Sequence, residues 1–75
     1  MDDWISAYMA LVKYALTGNQ LLLGIKHGIV NTKYMEGKLY VNKAAVVNNR
    51  SFLKELPKGG TSDYLKEILE YLMNH

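Results

Sequence analysis

The chain has 75 residues, no cysteine, 49% hydrophobic and 21% charged side chains, and a formal net charge of +2. A length of this order makes one domain, 1–75, whose core is only just sufficient, and the lack of cysteine excludes disulfides and thiolate metal sites. The longest apolar run, Trp4 to Val12, is interrupted by Ser6 and falls far short of the ~20 residues of a membrane span.

Asp2 and Asp3 oppose the positive start that a signal peptide needs, so a soluble cytoplasmic protein with no membrane partner is expected. The placement of charge says more than its total. Residues 1–20 set Lys13 against two aspartates, and residues 61–75 set Lys66 against Asp63, Glu67 and Glu70. Residues 21–60 hold seven of the nine cationic side chains: Lys26, Lys33, Lys38, Lys43, Arg50, Lys54 and Lys58. Only Glu36 and Glu55 oppose them there. A basic centre between acidic ends points to an anionic partner.

In chain order, Asp3 is placed to cap a helix from Trp4 that ends near Thr17-Gly18-Asn19. Ile5, Tyr8, Val12 and Ala15 form a stripe, broadened by Trp4, Leu11 and Tyr14 on one side and by Met9 and Leu16 on the other. A helix apolar nearly all round needs cover on more than one side, and so short a chain has little mass to provide it. Trp4, Tyr8, Met9, Leu11 and Tyr14 are therefore the expected interface with a second copy or another protein.

The middle of the chain reads two ways. As strands, Ile29 to Met35 and Lys38 to Val47 join through Glu36-Gly37, and Arg50 to Leu56 follows an Asn48-Asn49 turn. Pairing Tyr34 with Leu39 and Thr32 with Val41 puts Val30, Thr32, Tyr34, Leu39 and Val41 on one face. Farther on, the apolar positions shift to Ala44 and Val46, which requires a bulge near Asn42-Lys43. The expected fold is then α+β: an N-terminal helix, a three-stranded antiparallel meander and a C-terminal helix.

As a helix, LLGIKHGIVNTKYMEGKL resembles the MerR and excisionase type of winged helix-turn-helix, and VVNNRSFL resembles its short wing. The resemblance runs from about Leu22 to Leu53. It implies a recognition helix over 25–35 with Lys26, His27, Asn31 and Lys33 facing the major groove and Arg50 on the wing. Gly28 and the Val30-Asn31-Thr32 run are poor helix formers and favour the strands.

After the break Pro57-Lys58-Gly59-Gly60, Thr61 or Ser62 is placed to cap a last helix with Asp63 in its first turn. Leu65, Ile68, Leu69 and Leu72 make its apolar stripe. The order helix, three strands, helix also resembles the double-stranded RNA-binding domain in topology. The paired lysines of that family are replaced here by Lys58-Gly59-Gly60-Thr61-Ser62-Asp63, so DNA is favoured over RNA.

Nothing in the sequence has the spacing of a catalytic or cofactor motif. His27 and His75 have no ligands at helical spacing, and Ser51, Thr61 and Ser62 have no base beside them. On the strand reading, Lys38, Tyr40 and Asn42 point outward and Lys33 lies opposite Tyr40. That mixture of cations and an aromatic ring suits phosphates and bases. The expected function is a small, dimeric, non-enzymatic regulator that binds nucleic acid through Lys26, Lys33, Lys38, Tyr40, Lys43, Arg50 and Lys54. The alternative is a protein-interaction module or small inhibitor working through the first helix.

Overall fold

The computed structural model describes residues 3–59 and 63–74. A short strand β1 (Trp4–Ser6) leads into helix α1 (Ala7–Tyr14) and then helix α2 (Gly18–Lys26). Strands β2 (Thr32–Met35) and β3 (Lys38–Asn42) follow, then helices α3 (Lys43–Asn48), α4 (Arg50–Glu55) and α5 (Tyr64–Met73). The sheet is antiparallel with order β1-β3-β2, so the middle strand is the last of the three in sequence.

The expected hairpin has the expected register: Thr32 pairs with Val41, Lys33 with Tyr40 and Tyr34 with Leu39. Glu36 and Gly37 both adopt positive φ, 51° and 77°, which is the backbone of a two-residue turn matched to strand twist. Glycine takes that conformation freely, whereas Glu36 holds it at some strain.

The third strand is not Arg50 to Leu56. That segment is helical, and Trp4–Ser6 takes its place on the other side of β3. No bulge occurs at Asn42-Lys43, because the chain turns there from strand to helix. Asn42 caps α3, its side-chain oxygen accepting from the Ala45 N–H at 3.0 Å. Asn49 joins α3 to α4 instead of closing a hairpin, and its side-chain amide donates to the Ala45 carbonyl at 2.8 Å. Residues 25–35, the recognition helix of the winged reading, hold the end of α2, a turn through Gly28 (φ 75°) and β2.

The single N-terminal helix expected from Trp4 is a strand and two helices. Ser6 is the cap of α1, its hydroxyl accepting from the Met9 N–H at 3.1 Å. Ala15 then turns left-handed (φ 54°) and ends the helix before Thr17. Thr17 opens α2 with a reciprocal cap: its hydroxyl accepts from the Gln20 backbone N–H at 3.2 Å, and the Gln20 side-chain Oε1 accepts from the Thr17 backbone N–H at 3.0 Å. At α5 the cap is Asp63, accepting from Lys66 N–H at 3.2 Å. Asp3, the expected cap of the first helix, instead precedes β1, and Ser6 does the capping. The expected caps Thr61 and Ser62, together with Asp2 and His75, lie outside the described residues.

The core is one cluster between the inner sheet face and the helices, with Leu21, Leu53, Ile68, Val41 and Val46 fully buried. Helix α1 enters it through Ala7 and Ala10, with Leu11 and Tyr14 packed at its margin. The expected stripe is therefore turned round: Tyr8 and Val12 face away from the core. Positions 7, 10, 11 and 14 make a complete helical stripe of their own, and the two alanines let α1 lie close to the sheet.

Candidate nucleic-acid interface

Side chains alternate across a strand, so the register fixes which residues share the outer face of the sheet. Ile5, Thr32, Leu39 and Val41 point to the core side. Trp4, Ser6, Lys33, Met35, Lys38, Tyr40 and Asn42 point the other way. Tyr40 lies at the centre, with Ser6 opposite on β1 and Lys33 opposite on β2. Trp4 is paired with Asn42, diagonal to Tyr40.

Lys33 and Trp4 are on strands that do not touch, yet the Lys33 Nζ lies 5.3 Å from the Trp4 ring centroid. The lysine side chain therefore crosses β3 and rests its ammonium on the indole, an attraction of about 0.5–1 kcal/mol at an exposed site. Ser6 and Asn42 have their oxygens engaged in the caps of α1 and α3. What the face offers a ligand is two half-buried rings, Trp4 and Tyr40, with Lys33, Lys38 and Met35 exposed around them.

A second cationic pair lies on α4, where Arg50 and Lys54 are one turn apart and exposed. Buried Gln20 holds this helix from below, donating from Nε2 to the Lys54 carbonyl at 3.1 Å and to the Leu56 carbonyl at 3.0 Å. Beside it the rings of His27 and Phe52 meet edge to face with centroids 6.4 Å apart. Lys43 begins α3, half-buried, and its N–H donates to the Asp3 carbonyl at 2.9 Å.

Lys26 is placed elsewhere. Its Nζ lies 5.9 Å from the Tyr71 ring centroid, in a hollow shared with Glu67, Glu70 and Asn74 on the seam of α2 and α5. Two acidic neighbours make that spot a poor one for phosphate.

The expected protein interface is divided. Trp4 belongs to the sheet face, and Leu11 and Tyr14 pack partly into the core, with Lys13 Nζ 5.8 Å from the Tyr14 ring centroid. Tyr8 and Met9 stay outside, 66% and 48% exposed, and Val12 joins them at 59%. Next to them Ala7, Tyr8, Tyr34, Leu39, Leu65 and Leu69 line an apolar hollow of about 210 Å³ beneath the hairpin end. Tyr64 stands near it, its hydroxyl pushed above the ordinary tyrosine range by burial first and Tyr8 second.

Two features were missed from the sequence: the place of Trp4 beside Lys33, and the hollow. The alternation of Trp4-Ile5-Ser6 ahead of Ala7, with Ser6 a good cap residue, was the signal for the first. Among the described residues no helix is long and apolar enough to cross a membrane, and no three His, Cys, Asp or Glu side chains gather as a metal site would need. No family model, curated protein or solved structure matches the chain.

Proposed function

We propose that this chain is a small, non-enzymatic, cytoplasmic regulator that binds nucleic acid, DNA in preference to RNA, through the outer face of its sheet. One observation carries the reading: Trp4, Lys33 and Tyr40 come together on one exposed face, with Lys38 beside them. Cations there meet phosphates and release counterions, and the rings give bases an apolar surface. Lys43, next to Asn42 at the end of β3, adds a further phosphate contact. Arg50 and Lys54 stand apart from this face on α4, which packs on α2 and α3, and meet phosphates only of a nucleic acid long enough to reach round to them.

The test is affinity for DNA at two or more salt concentrations. On duplex DNA, log K falls with log salt by ~0.9 per phosphate contact, so Lys33→Gln with Lys38→Gln makes the slope shallower by about 1.8. Lys13→Gln, on α1, leaves the slope unchanged. A folded protein indifferent to DNA and RNA at low salt overturns the proposal.

The exposed Tyr8, Met9 and Val12 beside an apolar hollow favour a second role for α1, as the contact between two copies of the chain. Hollow and protruding side chains lie next to one another, so one patch offers both halves of a two-fold contact. A homodimer at micromolar concentration, weakened by Tyr8→Glu, is the expected result in sedimentation. A folded monomer at high concentration overturns it and leaves another protein as the partner of this face.

A further inference from the structure

We propose that the ligand of the sheet face is a single strand, and that one of its bases displaces the Lys33 ammonium from Trp4 and takes its place on the ring. The proposal rests on the nucleic-acid reading above and adds which form of nucleic acid is bound and how.

The geometry favours a single strand in three ways. Trp4 and Tyr40 are diagonal neighbours on adjacent strands, where side chains start ~7–8 Å apart. Successive bases in a stacked strand rise only ~3.4 Å, so bases seated on both rings must be pulled apart. A duplex resists that because its bases are paired as well as stacked.

The second point is that the two short polar side chains beside the rings already have their oxygens engaged. Ser6 and Asn42 flank the rings, but their oxygens cap α1 and α3. A surface of rings and ammonium groups recognises base faces and phosphates, which a strand with exposed bases presents.

The third point is the hairpin tip. Glu36, exposed and negative, stands there beside Gly37, so the hairpin meets a duplex groove with the wrong charge.

Lys33 links the two halves of the site. In the free protein its ammonium covers the indole at 5.3 Å from the centroid. A base stacking on Trp4 removes that contact and releases a cation at the position where the next phosphate arrives. Recognition is then tolerant of sequence.

Trp4 is the only tryptophan, so its fluorescence reports this event alone. Wild-type protein is titrated at low salt with a short oligothymidylate and with a blunt duplex of equal length. Binding is followed both by Trp4 emission and by anisotropy of labelled DNA. The expected result is tighter binding of the single strand, with quenching of Trp4 that the duplex does not produce. Trp4→Ala weakens the single strand by roughly tenfold or more and leaves the duplex almost unchanged. Trp4→Phe keeps a smaller ring for the fold and shows a smaller loss in the same direction. Equal or tighter duplex binding without quenching overturns this inference and leaves nucleic-acid binding standing. Failure of both DNAs to bind overturns both.

Discussion

Replacing Gln20 by Met tests how the domain holds α4, and with it Arg50 and Lys54, against the rest of the fold. Gln20 is 1% exposed, and its amide makes three hydrogen bonds: one accepted from Thr17 N–H and two donated to the carbonyls of Lys54 and Leu56. Methionine keeps the unbranched shape and fills the space, so the change removes polar contacts with little loss of packing. At about 1 kcal/mol per bond the loss is about 3 kcal/mol, and more where a carbonyl is left buried without a partner. A 75-residue domain has roughly 4–11 kcal/mol in total, so this is a large fraction. Each kcal/mol moves Tm by about 4–8 °C at this size, which places the expected drop at about 12–24 °C. The assay is thermal and urea unfolding followed by circular dichroism. Asn19→Ala serves as the comparison, since it removes one exposed bond to the Pro57 carbonyl at 2.9 Å and costs about 0.5–1 kcal/mol. If Gln20→Met is no worse than Asn19→Ala, the buried amide does not clamp the segment from Lys54 to Leu56.

Two residues hold left-handed backbone without being glycine, so Ala15→Gly and Glu36→Asn are each expected to stabilise by about 1 kcal/mol, read as a rise in Tm. Gly18→Ala is expected to destabilise despite the better helix propensity of alanine, because a Cβ there runs into the Cβ and ring of Tyr64; chemical denaturation gives the sign. The folded state holds the Tyr64 proton more tightly than the unfolded chain does. Stability from this group is therefore constant below pH 10 and falls as pH rises above it, and Tyr64→Phe flattens that part of a stability–pH curve.

The hairpin was legible because two signals agreed there, a turn residue at Gly37 and matched apolar positions on both sides. The same Glu36-Gly37-Lys38-Leu39 run carries much of the winged helix-turn-helix resemblance, and in the structure it forms the turn between β2 and β3. Arg50 to Leu56 read as strand because Asn48-Asn49 looks like a hairpin turn. In the structure Asn49 instead bonds back to Ala45, and Leu53 is buried as a helical position. Trp4–Leu16 read as one helix because its composition is helical throughout. What divides it is local and weak in sequence: a serine that caps and an alanine forced left-handed. The direction in which α1 faces was hidden for a different reason. When nearly every position is apolar, periodicity cannot choose a face, and here alanines won the core through close approach. Lys33 and Tyr40 were found by alternation along one hairpin, whereas placing Trp4 with them required a long-range strand pairing that no local pattern records.

The hairpin also joins the two faces that the proposals concern. Tyr34 and Leu39 point down into the hollow, while their neighbours Lys33 and Tyr40 point outward. Gly37 and Lys38, at the turn, belong to the rim of the hollow and to the basic strand at once. If both proposals hold, a second copy seated in the hollow holds the end of the same hairpin whose other side is proposed to meet nucleic acid. Holding it lowers the ordering that binding must impose, and any such gain is reciprocal: nucleic acid must strengthen the dimer by the factor by which the dimer strengthens nucleic acid. The expected outcome is a single-strand affinity that rises as protein concentration passes through the dimerisation range, with a dimer that sediments more stably once oligonucleotide is bound. Tyr8→Glu removes both effects while leaving the sheet face intact. A dimer whose affinity for nucleic acid does not change with its own assembly would mean that the hairpin is stiff enough to keep its two sides independent.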